Sequence, residues 1–218
     1  DYFVEQKRLG RIKHLGFSTH GSVAVMEKFL DYCGEHMEFC QIQLNYLDWT
    51  LQRAKEKCEL LAERNIPIWV MEPVRGGFLA NPGEEASAKF KAARPDESVA
   101  SWAIRYAATL PGVMTVLSGM SNMEQLIDNM NTIDNFRPLT EEQYTIINRA
   151  ADIINEVAEI PCTGCSYCTP DCPMGIDIPA YFSLYNADLR TPDGTAKAEY
   201  DRRAAKYGAP ASCIGCGQ

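Results

Sequence analysis

Between Arg11 and about Asn131, short apolar runs alternate with longer stretches in which apolar residues recur every three or four positions. The short runs suit extended strands and the longer spacing suits the buried stripe of a helix, so the pattern predicts successive β/α units and a parallel sheet. Four strands are expected at residues 12–17, 40–44, 66–71 and 113–117, followed by helices at 22–33, 51–64, 97–109 and 123–133. Gly10, Asn65 and Pro111-Gly112 stand ahead of three of these strands, where the preceding element must stop. After the third strand, Glu72-Pro73-Val74-Arg75-Gly76-Gly77 opens a connection running through Pro95, too long for simple chain reversal.

Thr140 reads as an N-cap with Gln143 at the third helical position, a reciprocal capping pair that starts a helix running to about residue 157. There the alternation ends. From Pro161 onward the chain is rich in Cys, Gly, Pro and Tyr, with two further helices expected near 178–189 and 195–206. The reading is therefore an α/β region over 1–157 and a mainly helical, cysteine-rich region over 158–218.

Charge narrows the partners. A formal net charge of -8 and a pI near 5.0 argue against nucleic acid or an anionic membrane surface, both of which reward a basic face. No apolar run approaches the roughly 18 to 20 residues of a membrane span, and the opening residues are charged rather than signal-like, so a cytoplasmic protein is expected. The sequence opens at Asp1, without an initiator Met and already in a helical pattern, which suggests that it begins within a larger protein.

Of nine cysteines, Cys33, Cys40 and Cys58 are isolated and read as small core hydrophobes. The other six lie between 162 and 216. Cys162-x2-Cys165-x2-Cys168-x3-Cys172-Pro173 is the spacing of a bacterial ferredoxin run, in which three close thiolates hold one 4Fe-4S cluster and the fourth serves another. Cys213-x2-Cys216 resembles the opening of a second run, and with Gln218 as the last residue neither cubane has four cysteines from this sequence. A zinc site built from two C-x2-C pairs, or thiols without metal, are the alternatives.

Four segments in order resemble strand-end motifs of the aldo-keto reductases: His14-Leu-Gly-Phe-Ser18, Gln43-Leu-Asn-Tyr46, Val70-Met-Glu-Pro73 with Gly76-Gly77, and Ser118-Gly-Met-Ser-Asn-Met-Glu-Gln-Leu126. Their order matches the last four units of that family's (β/α)8 TIM barrel, and the tail is similar to the subfamily with a ferredoxin-like iron-sulfur extension. The resemblance implies an oxidoreductase that uses NAD(P)H on a small carbonyl or alcohol, with the site at the C-terminal strand ends. It implies that Ser18 and Gln43 bond the nicotinamide carboxamide, and that the loop after Pro73 covers the pyrophosphate. Gly119, Met120 and Ser121 with Gln125, Asp128 and Asn129 would meet the adenosine end, where the start of the fourth helix favours phosphate. Met71 stands where the family places an aromatic ring against the nicotinamide.

The family's catalytic Asp, Tyr, Lys and His lie on its first four strands, so no residue here is assigned a catalytic role; His20 reads as a polar loop histidine. Two other readings stand beside the reductase: a non-catalytic truncated scaffold, and an independent electron-transfer or interaction module in the tail serving a redox partner. Four strands cannot close a barrel, so self-association or pairing with a missing N-terminal half is expected to cover the sheet edges.

Overall fold

The computed structural model of the chain describes residues 2–156, 160, 162, 164–190 and 194–216, with Arg190 by its backbone alone. The elements run α1 (Tyr2–Arg8), β1 (Phe17–Thr19), α2 (Val23–Cys33), β2 (Cys40–Gln43), α3 (Asp48–Leu51), α4 (Ala54–Glu63), β3 (Ile68–Met71), α5 (Glu84–Ala93), α6 (Val99–Thr109), β4 (Val113–Val116), α7 (Met123–Asp134), α8 (Glu141–Asn155), α9 (Ile178–Arg190) and α10 (Thr195–Lys206), with short 3-10 turns at Gly34–His36, Phe78–Ala80 and Pro210–Ser212. The chain divides into two compact units, Asp1–Ala151 and Asp152–Gln218, the boundary falling inside α8.

In the first unit four parallel strands lie in the order β1-β2-β3-β4, which leaves β1 and β4 at the edges. Cys40, Ile42, Ile68 and Val70 are fully or almost fully buried on one face, while Gln41, Trp69 and Met71 on the other are half-buried. This is the period-two alternation of a pleated strand. α4 packs on β2 and α6 on β4, and Met26, Leu30, Leu61, Ala103, Ile104 and Ala107 fill the core. An aromatic chain reinforces it: Trp102 lies 5.1 Å from Phe90, Phe90 6.1 Å from Tyr46, and Tyr106 6.1 Å from Tyr46 and 5.9 Å from Tyr144.

β1 starts five residues later than the apolar pattern predicts. Ahead of Phe17, the Leu15 amide donates to the Glu38 carboxylate at 2.8 Å and the Leu15 carbonyl accepts from Glu38 N, so these groups are satisfied outside a ladder. Gly16 lies against Phe39, where a Cβ would fall 2.6 Å from the ring. The helix expected over 51–64 is α4 at Ala54–Glu63, and the short α3 stands ahead of it. Asn45 Oδ1 accepts from the amides of Leu47 and Asp48 and starts α3 early, and Arg53, at φ 53°, breaks the chain before α4. The long connection after β3 holds α5, which the sequence reading missed; its apolar face is only Ala86 and Phe90, too narrow a stripe to stand out. The capping pair at Thr140 is present, with Thr140 N donating to Gln143 Oε1 at 3.0 Å and Gln143 N to Thr140 Oγ1 at 3.4 Å.

In the second unit α9 packs against α10, with Tyr181 and Tyr200 edge to face at 5.4 Å. An isolated parallel bridge joins Ile176 to Gly208, and a Cβ at Gly208 would meet the Met174 carbonyl at 2.1 Å, so only glycine allows this approach. No helix among the described residues is long and apolar enough to cross a membrane.

Candidate functional site

Ser18 and Gln41 are cross-strand partners on β1 and β2, and Gln41 pairs with Trp69 on β3. Side chains at one level of neighbouring parallel strands share a face, so Ser18, Gln41 and Trp69 line the side of the sheet away from Cys40 and Ile42. Ser18 is exposed and Gln41 half-buried, its Nε2 3.5 Å from Met71 Sδ. Gln43 points to the same face two residues further on, yet it is 3% exposed and committed elsewhere: its Nε2 donates to Asp48 Oδ2 at 2.8 Å. Gln41 was missed at the sequence level, although strand alternation places it beside any inward-facing Gln43.

Asp48 anchors a buried polar network. Its side chain is fully buried; Oδ2 also accepts from Asn45 Nδ2 at 2.7 Å, and Oδ1 lies 3.5 Å from Arg75 Nε. The same Asn45 amide group donates to the Glu72 carbonyl at 2.9 Å, tying the end of β2 to the loop after β3. That loop is unusual. Glu72, Arg75, Gly76 and Gly77 all have positive φ, Pro73 is buried, and the Glu72 carboxylate accepts from the Gly76 amide. Lys57 of α4 is 4% exposed; burial pushes its ammonium pKa down, opposed by the Asp48 carboxylate. Burial also lowers the His20 pKa, helped by the Lys57 charge, which keeps this imidazole neutral near pH 7.

At the end of β4 the residues expected near an adenosine are brought together only in part. Asn122 caps α7, its Oδ1 accepting from Gln125 N at 2.9 Å, while Gln125 Oε1 accepts from Ser121 N at 2.7 Å. Gly119 and Ser121 are exposed. Met120 and Asn129 line a cleft of about 280 Å³ with Ser118, Leu126 and Met130, and Asn129 Nδ2 donates to Ser118 Oγ at 2.9 Å. Asp128 instead accepts from Ser98 Oγ at 2.6 Å, which fastens α7 to the start of α6.

The six clustered thiols are all half-buried or exposed. Gly164 N donates to Cys162 Sγ and Ile176 N to Cys172 Sγ, each at 3.4 Å, and Gly164, Ser166, Gly175 and Gly215 turn the chain through positive φ around them. Among the described residues, no three Cys, His, Asp or Glu side chains gather into a group able to hold a metal ion. The expected ligands Cys162, Cys165, Cys168, Cys172, Cys213 and Cys216 are therefore present without converging. Cys40 and Cys58 differ: burial pushes both thiol pKa values up to about 12.

The profile of the aldo/keto reductase family matches residues 1–152, well over half of the chain. The chain belongs to the aldo/keto reductase family. Among solved structures it is similar to the holo form of aldo-keto reductase AKR11C1 from Bacillus halodurans, at 24% identity and a TM-score of 0.54, covering 68% of this chain and 53% of that one. It is also similar to an aldo/keto reductase from Klebsiella pneumoniae in complex with NADP and acetate, at 18% identity and a TM-score of 0.54, covering 66% and 50%. The chain thus spans about half the length of these aldo-keto reductases, and the match rests on the first unit. A comparison with curated proteins finds no match.

Proposed function

We propose that the chain is the cofactor-binding part of an NAD(P)H-dependent oxidoreductase acting on a small carbonyl or alcohol, corresponding to the last four units of the reductase barrel. The observation that carries this reading is the pairing of Ser18 with Gln41 on one face of the parallel sheet. A hydroxyl and a carboxamide side by side offer the donor and acceptor that a nicotinamide carboxamide requires. Gln43, the sequence-level candidate, supports the same end of the sheet through Asp48. The capped N-terminus of α7 supports the adenosine and phosphate end, since the amides of its first turn favour negative charge. The bound cofactor would supply the hydride; the chain's own groups orient its carboxamide and phosphates.

The thiols of Cys162, Cys165, Cys168, Cys172, Cys213 and Cys216 suit an iron-sulfur cluster by type and spacing, and amides directed at Cys162 and Cys172 sulfurs are of the kind that tune such clusters. In this reading the six thiols would supply part of the ligand set of 4Fe-4S clusters, which would exchange electrons with a redox partner. Anaerobic reconstitution with iron and sulfide, followed by NADPH titration monitored by fluorescence, tests both halves. NADPH binding that weakens at least tenfold in Gln41→Ala, with stoichiometric iron and sulfide retained, is the expected result. Failure to bind NADPH removes the cofactor reading, and failure to retain iron removes the cluster reading.

A further inference from the structure

We infer that the second unit holds a binding site for a small organic cation, an alkylated or quaternary ammonium group, in the groove bordered by α9 and α10. The site involves neither the dinucleotide residues nor the cysteines, and it stands or falls apart from both readings. The groove measures about 480 Å³, within the range of small-molecule pockets. Tyr181, Phe182 and Tyr185 of α9 and Tyr200 of α10 bring four aromatic side chains to its wall.

The helix spacing explains the gathering. Tyr181, Tyr185 and Asp188 follow one another at intervals of four and three residues, so they share one stripe of α9. Tyr200 closes the stripe from α10, its ring 5.4 Å from that of Tyr181 and inclined to it by 64°. Two rings at that angle form a corner rather than a stack. The face of an aromatic ring carries the negative part of its quadrupole, and several ring faces around one space attract a positive charge.

The charges on the wall decide the kind of guest. Asp188 is exposed and has no hydrogen-bond or ion-pair partner among the described residues. Lys197 of the same wall is answered from outside it, its Nζ bonding both carboxylate oxygens of Asp201 at 2.7 and 2.6 Å. One negative charge beside four aromatic rings is therefore left over, which repels an anion and gives a cation an advantage over an uncharged guest. A bare ammonium is strongly hydrated and loses too much water at an apolar wall, whereas an alkylated one spreads its charge over methyl groups and gives up its water readily.

Choline and its uncharged carbon isostere, 3,3-dimethylbutan-1-ol, are titrated separately into the 218-residue chain, with binding read from broadening of the ligand proton resonances and folding from circular dichroism. Choline is expected to saturate one site and to bind at least about tenfold more tightly than the alcohol. Tyr185 is 51% exposed, so it can be changed without opening a core. Tyr185→Leu is expected to weaken choline about three- to thirtyfold and Tyr185→Phe, which keeps the ring, to leave it unchanged. Asp188→Asn, at the exposed rim, is expected to weaken it about two- to fivefold. Equal binding of choline and the alcohol overturns the inference and leaves a merely apolar groove. Choline affinity that Tyr185→Leu and Asp188→Asn both leave untouched puts the cation elsewhere, and a wild-type chain that binds no choline overturns the site outright.

Discussion

The two units use polar atoms in opposite ways. In the first, Gln43, Asn45, Asp48, Lys57 and Arg75 are drawn inside around the Asp48 carboxylate, which accepts from Gln43 and Asn45 and faces Arg75, and a parallel sheet with helices against it supplies the frame. In the second, the reactive groups are thiols at or near the surface, held on loops of positive-φ residues beside the parallel bridge between Ile176 and Gly208. A backbone whose hydrogen bonds are made by strands and helices can position a buried carboxylate without outside help. Loops with few such bonds take their order from whatever their side chains bind, as small metal-binding regions do.

The sharpest break in this comparison is a cavity in the first unit. Trp102 is 2% exposed against Phe90, so Trp102→Ala is expected to cost about 3–5 kcal/mol. Urea denaturation followed by circular dichroism checks this; a loss under 1 kcal/mol would mean that the aromatic chain does not hold the first unit together.

Thiol reactivity sharpens the contrast next. With pKa values near 12, Cys40 and Cys58 hold on the order of 1,000-fold less thiolate than an ordinary thiol of pKa about 8.5. Alkylation of the native apoprotein near pH 8, resolved by peptide mass spectrometry, should label Cys168, Cys213 and Cys216 first and leave Cys40 and Cys58 to the unfolding rate. Equal labelling of all nine would erase the distinction.

The smallest effect lies at the surface of the first unit. The Lys7 ammonium, then the Leu15 amide, with His14 contributing less, hold the Glu38 carboxyl at about 2, below its ordinary 4.5. A carboxylate with a depressed native pKa adds stability above the unfolded value, and that stability is lost as the pH falls from about 4.5 toward 2. Melting temperatures across that interval should fall less steeply in Glu38→Gln than in the wild type, and identical slopes would remove Glu38 from the acid response.

The boundaries that the sequence placed well are those with local causes. Thr140 with Gln143 is a cap whose partners lie three residues away, so a linear reading finds the start of α8. β2, β3 and β4 were legible because apolar alternation reports burial directly. β1 was misplaced because the groups ahead of it are satisfied by Glu38, over 20 residues away. The break at Arg53 follows from a turn begun by Asn45, and α5 was hidden by its narrow apolar stripe.

By itself, then, the sequence determined the β/α alternation, the Thr140–Gln143 cap, the family motifs and the clustering of thiols, all of which depend on residue type and spacing along the chain. Only the tertiary structure decided that Gln41 rather than Gln43 stands beside Ser18, that Asp48 joins β2 to the loop after β3, and that Arg75 is held from behind by a buried carboxylate. Those facts depend on strand register and on which polar groups lose their water together, and both are properties of elements brought side by side.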